Sequence, residues 1–185
     1  MTKRIVLAAG LLVALAGCGS QTDEAPAAGE TPDIAMQTPT QAPAVADEPQ
    51  VFVEKMSASD MFEIQAGELA QEMGTSQKVK DFGAMMVSDH TASSAKLTTA
   101  AGTAEPAITP APKLTADQQA KLDALRAAGD GFDALYAQQQ VAAHELALST
   151  LQAQAESGSA ASLREFAAAT APVVEQHLGT ARTLP

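Results

Sequence analysis

Four stretches of this chain carry apolar residues at alternating steps of four and three, and that spacing constrains the fold more than any other feature. Phe52, Met56, Ser59, Glu63, Ala66, Ala70 and Met73 form the first series, and Val79, Phe82, Met86, His90, Ser93 and Leu97 the second. Phe132, Tyr136, Gln140, His144, Leu148, Leu151 and Ala155 form the third, and Leu163, Phe166, Thr170, Val173, His177 and Ala181 the fourth. Such spacing puts side chains on one face of an α-helix, where they can be buried together. No stretch alternates with the period of two expected of a half-buried strand.

The breaks between the series fix how the helices connect. Gly74-Thr75-Ser76 stops the first helix and offers an N-cap to the second, and Gly158-Ser159 separates the third from the fourth. The second and third are joined by a long link with Pro106, Pro110 and Pro112, which also holds a short helix capped by Thr115 with Leu122 and Leu125 inward. Two tight hairpins and one crossover describe an all-α, ferritin-like four-helix bundle with a long crossover between the second and third helices. Pro172 is expected to kink the fourth helix or to reset its start. An internal repeat agrees with this: Val79-Lys80-Asp81-Phe82 matches Leu163-Arg164-Glu165-Phe166, each after a Gly-Ser/Thr turn and before an inward His.

Polar members of the stripes are the candidates for chemistry. The chain has three His, and each lies on the core-facing stripe of a different helix: His90, His144 and His177. Glu63 occupies the stripe of the remaining helix and, in the repeat, stands where His144 stands. Together they form a candidate site for a divalent transition metal, because imidazole and carboxylate suit Zn, Fe, Cu or Mn. Asp89, Glu145 and Glu175 adjoin His positions in sequence but fall mostly off the stripes, and read as solvated groups or as outer groups behind the rings rather than as ligands. The competing reading is a structural polar core, in which the His rings bond to Glu63, Gln140 or Thr170. Helix heights favour that second reading. Counted from helix ends, His177 stands roughly 12 Å off the level of His90 and His144. Val87, Val141 and Val174 precede the three His by three positions, so the Glu-x-x-His pairs of di-iron bundles are missing. Met56, Met73, Met85 and Met86 on or beside the stripes raise copper as an option, although Met also fills gaps in cores. No catalytic Ser, zinc-protease or phosphate-loop motif occurs, so an enzyme is the less favoured reading.

The N-terminus bears on location. Lys3 and Arg4 precede an apolar run from Ile5 to Ala16, too short to span a bilayer core but fitting a secretory signal. Leu15-Ala16-Gly17-Cys18 resembles the lipobox of bacterial lipoprotein precursors. That resemblance implies removal of residues 1–17 and lipidation of Cys18, the one Cys of the chain. Gly19, in place of Asp, implies the periplasmic face of the outer membrane. A lipidated Cys18 leaves no thiol for disulfides or metal sites. Residues 18–50, rich in Pro, Ala and Thr, read as a disordered tether reaching roughly 30 Å, and residues 51–185 as the folded domain. Loss of Lys3 and Arg4 takes the net charge from −11 to −13. So acidic a surface argues against nucleic acid, leaving the membrane, through its lipid anchor, as the expected partner.

A wider resemblance rests on Phe52-Val53, Glu63 with Gly67-Glu68-Leu69-Ala70, Val79-Lys80-x-Phe82, Met86-Val87-x-Asp89-His90-Thr91, Phe132-Asp133-x-x-Tyr136, His144-Glu145, and Pro172 with His177-Leu178. In that order these resemble domain-of-unknown-function family 4142, bacterial envelope proteins with a ferritin-like bundle. The resemblance spans about residues 50–183 and implies the fold but no activity; the Pro106–Pro112 loop looks more Pro-rich than is usual in the family. A lipid-anchored envelope domain that binds a partner or a metal without catalysis ranks first. A metal-dependent redox or metal-storage protein ranks second, and a structural spacer or assembly factor third.

Overall fold

The computed structural model describes residues 48–185; the leader, Cys18 and nearly all of the proposed tether lie outside the described residues. Among the described residues five helices follow in order: α1 (Glu48–Met73), α2 (Gln77–Gly102), α3 (Ala116–Ala127), α4 (Phe132–Ser157) and α5 (Ala161–Ala181). A 3-10 turn at Gly129–Gly131 leads into α4. Helices α1, α2, α4 and α5 are the four long helices read from the stripes, and α3 is the short helix of the crossover. Among the described residues there is no strand, and no helix is long and apolar enough to cross a membrane.

Helix α1 starts three residues before the boundary read at residue 51. Pro49 looks like part of the Pro-rich tether, but proline is well suited to the first turn of a helix, where its missing N–H costs nothing. Pro49 is buried, and the Glu48 carboxylate accepts from the Ser159 backbone N–H at 3.0 Å and its hydroxyl at 2.8 Å. The same device recurs at the other hairpin. Asp133, in the first turn of α4, accepts from Thr75 N–H, Thr75 hydroxyl and Ser76 N–H at 2.9, 2.6 and 2.7 Å. Each hairpin turn is thus held by an acid at the start of a helix in the other hairpin, which extends the internal repeat from sequence to structure. Burial pushes the Asp133 carboxyl up, but these bonds together outweigh it and hold its pKa below the ordinary value.

The α1–α2 and α4–α5 hairpins pack with α2 beside α5 and α1 beside α4, while α3 lies over α1 and α4. Within the first hairpin the backbones approach closely, since a Cβ on Gly67 would sit 2.6 Å from the Gly83 carbonyl oxygen. Helix α3 opens with a Thr115–Gln118 capping box, and the Gln118 amide also donates to the Ala58 carbonyl at 3.2 Å. Leu122 and Leu125 of α3 are fully buried. With three neighbours, α1 is buried on more than its single stripe, and Val53, Asp60 and Phe62 are as buried as Met56.

Helix α5 runs from Ala161 to Ala181 through Pro172, so the proline does not reset its start. Val174, rather than Val173, faces the core; Val173 is 41% exposed. The apolar interior falls into two clusters. One holds Phe52, Leu97, Leu151, Leu163 and Phe166, and the other Phe62, Phe82, Leu125, Phe132 and Tyr136. Between them the bundle buries Asp60, Glu63, His90, Gln140, His144 and His177.

Candidate metal centre

Three helices deliver three imidazoles to one level. The ring centroids of His90 (α2), His144 (α4) and His177 (α5) stand 5.8, 5.7 and 5.5 Å apart, close to an equilateral triangle. One ring nitrogen of each lies within 4.8 Å of one from both others. The height mismatch expected for His177 is therefore absent, and the reason is geometric. Antiparallel helices are level when counted from the turn joining them, whereas α5 is shorter than its partner, so counting from its end misplaces it. His90 follows Thr75 by 15 positions, His144 precedes Ser159 by 15 and His177 follows it by 18. At 1.5 Å per residue the remaining difference is about 4.5 Å, within reach of a His side chain.

The same count finds a residue that the stripe missed. Asp60 lies 15 positions before Thr75, level with His90, and is 1% exposed. Its Oδ1 accepts from His90 Nδ1 at 2.8 Å, and its Oδ2 from the Ser94 hydroxyl at 3.2 Å. Asp89 Oδ2 accepts from His177 Nε2 at 2.9 Å. His144 Nδ1 donates to the Gln140 backbone carbonyl at 2.9 Å. Every ring is thus fixed through one nitrogen by an oxygen behind it, an arrangement that orients imidazole ligands and raises their basicity.

Those outer bonds decide what the inner nitrogens offer. A carbonyl or carboxylate oxygen can only accept, so the outer nitrogen of each ring carries the proton. In a neutral ring the inner nitrogen is then a bare lone pair. His90 Nε2, His144 Nε2 and His177 Nδ1 are all buried without a hydrogen-bond partner. Burial and the neighbouring His90 push His144 down to about 3, so it is neutral at ordinary pH. Burial also lowers His177, against the pull of Asp89. For His90 burial acts downward as well, but the Asp60 hydrogen bond and the Glu63 charge outweigh it and raise the pKa. A proton on His90 could bridge to one neighbour and would leave the other bare; a water could donate to two of the three. A single cation satisfies all three. A point equidistant from nitrogens 4.8 Å apart lies ~2.8 Å from each, so each ring would close by ~0.7 Å to reach a typical Zn–N length. Side-chain rotation covers that distance.

Glu63 is not among the converging groups. It is 2% exposed, accepts from the Gln140 side-chain amide at 2.7 Å and stands 4.0 Å from the outer nitrogen of His144. Burial, partly offset by His90 and the Gln140 bond, pushes its pKa up to about 7. It braces the segment that carries His144 rather than facing the centre of the triangle. Two of the three acids beside the His positions, Glu145 and Glu175, lie on exposed helix faces. Glu145 pairs with Arg182 at 2.8 Å, and Glu175 is exposed on α5; each follows its helix face outward, one residue after His144 and two before His177. Among the methionines, Met73, Met85 and Met86 pack with the second apolar cluster, and Met56 alone lines the small cavity beside His90 and His177. The bonds of the alternative polar core also differ from expectation, since Thr170 donates to the Phe166 carbonyl instead of to a His.

An α-helical bundle with a buried three-imidazole layer between two apolar clusters is the class of protein that this fold and site define. The chain belongs to the family described as Domain of unknown function (DUF4142), whose sequence profile matches residues 35–184. No curated protein matches the chain. No solved structure matches it either.

Proposed function

We propose that this protein is a lipid-anchored envelope domain that binds one divalent transition-metal ion in the His90–His144–His177 triangle, without catalysis of its own. The supporting observation is the set of three inward nitrogens left bare by their outer hydrogen bonds. A buried polar group without a partner costs about 1–3 kcal/mol, and three at one point are hard to account for as a structural core. Imidazole donors suit Zn, Cu, Fe and Ni. Carboxylates behind two of the rings, Asp60 and Asp89, would balance the charge of a divalent ion. One small centre without Glu-x-x-His pairs gives little support to storage of many ions. The leader and Cys18 support location at a membrane surface, on the periplasmic side.

Untagged protein, stripped with a chelator and titrated with Zn, Cu(II), Co(II) or Fe(II), should bind one ion per chain. Replacing any one of the three His by Leu should abolish that binding, His177 as fully as His90. Equal binding by wild type and His177→Leu would sink the proposal.

A further inference from the structure

We infer that the bound ion keeps one coordination position open toward the groove between α2 and α5, and takes a small anion or water there. The inference rests on the metal reading and adds to it an accessible face, which a purely structural centre lacks. Three protein ligands leave a four-coordinate ion one position short. The inward acids of α1 are turned to other partners, Asp60 to His90 and Ser94 and Glu63 Oε2 to Gln140, and neither joins the three converging ligand atoms.

The space around the rings says where that position opens. A cavity of about 20 Å³ touches His90 and His177 and is walled by Asp60, Ser93, Thr170 and Val174. That is room for about one water-sized group. Asp89, Ser93, Thr170 and Val173 also line a groove of about 320 Å³ that reaches the surface between α2 and α5. Val173 is 41% exposed and the Asp89 side chain equally so, which marks the outer end. The cavity and groove therefore share a wall leading from solvent to the rings.

Ser93 is the second, independent sign of a ligand. Its hydroxyl is buried with no hydrogen-bond partner, and it lines both the cavity and the groove. It lies one helical turn beyond His90, placing an unspent donor beside the open position. A bound anion or water would accept from it. The cavity admits only a narrow group, while Lys96 and Glu165 line the wider groove. The ligand class is thus a small, monodentate, neutral or singly charged group, and azide is a suitable probe.

The test uses the full-length chain loaded with Co(II), followed by its visible absorption, and then titrated with sodium azide. Co(II) bands should appear first and should then shift and saturate with azide. Ser93→Ala should leave Co(II) affinity unchanged and weaken azide by about tenfold, the loss of one hydrogen bond to a charged group. Val173→Trp, at the mouth of the groove, should slow azide entry. If Co(II) bands never appear, the metal reading fails and this inference with it. Bands that azide leaves unchanged would overturn the open position alone, and equal azide affinity in Ser93→Ala would overturn the role of Ser93.

Discussion

Replacing His144 by Leu should raise stability in a chelator and remove stabilisation by metal, an inversion that a structural core would not produce. His144 is 1% exposed and neutral, and its outer nitrogen bonds only to the Gln140 carbonyl. That carbonyl also belongs to the α4 hydrogen-bond ladder, so removing the ring strands nothing. The substitution loses one hydrogen bond of about 0.5–1.5 kcal/mol and removes a bare buried nitrogen that costs about 1–3 kcal/mol. Leu fills a similar volume, so packing changes little. The net gain without metal is ~1 kcal/mol, or ~4 °C in melting midpoint for a domain of this size. With ion at a hundredfold its Kd the wild type should gain ~2.7 kcal/mol and the variant nothing. His90→Leu provides the contrast: it leaves the Asp60 carboxylate buried at 1% exposure with only Ser94, and should cost ~3–5 kcal/mol in chelator. His177→Leu falls between, because Asp89 can turn to water. Thermal melts by circular dichroism, with chelator and then with Zn, would measure all three. A His144→Leu midpoint several degrees below wild type in chelator, or an undiminished response to Zn, would refute the reasoning.

Two further outcomes are expected. The folded protein raises Glu63 from 4.5 to about 7, so it binds this proton more tightly than the unfolded chain. The associated stability is present below about pH 4.5 and is lost as pH rises toward 7, ~3 kcal/mol over that window. Glu63→Gln keeps the bond to Gln140 and should raise the melting midpoint at pH 8 more than at pH 4.5 in chelator; a gain that does not depend on pH would count against a raised Glu63. Separately, Cys18→Ser should end incorporation of labelled palmitate and leave the precursor uncut, and a palmitoylated Ser variant would exclude the anchor.

The sequence alone determined the helices, their order and the crossover. Those follow from local rules: a repeat of four and three selects the α-helix, while Gly74, Gly158 and the prolines of the crossover end or exclude it. It also determined that His90, His144 and His177 point inward, because each occupies an apolar stripe. What it left open was level and partner. Whether three inward rings meet depends on counting each helix from its connecting turn, and a short last helix made the count from its end misleading. Glu63 stood out because it breaks an apolar stripe, yet Asp60, off that stripe, holds His90. A stripe describes one buried face, whereas α1 is covered by α2, α4 and the crossover helix α3 and buries more of its circumference than any single stripe records. The tertiary structure alone decided which nitrogen of each ring is tied and which is bare, since that depends on oxygens brought from Asp60 on another helix, from Asp89 across the α2–α5 contact, and from the backbone of Gln140.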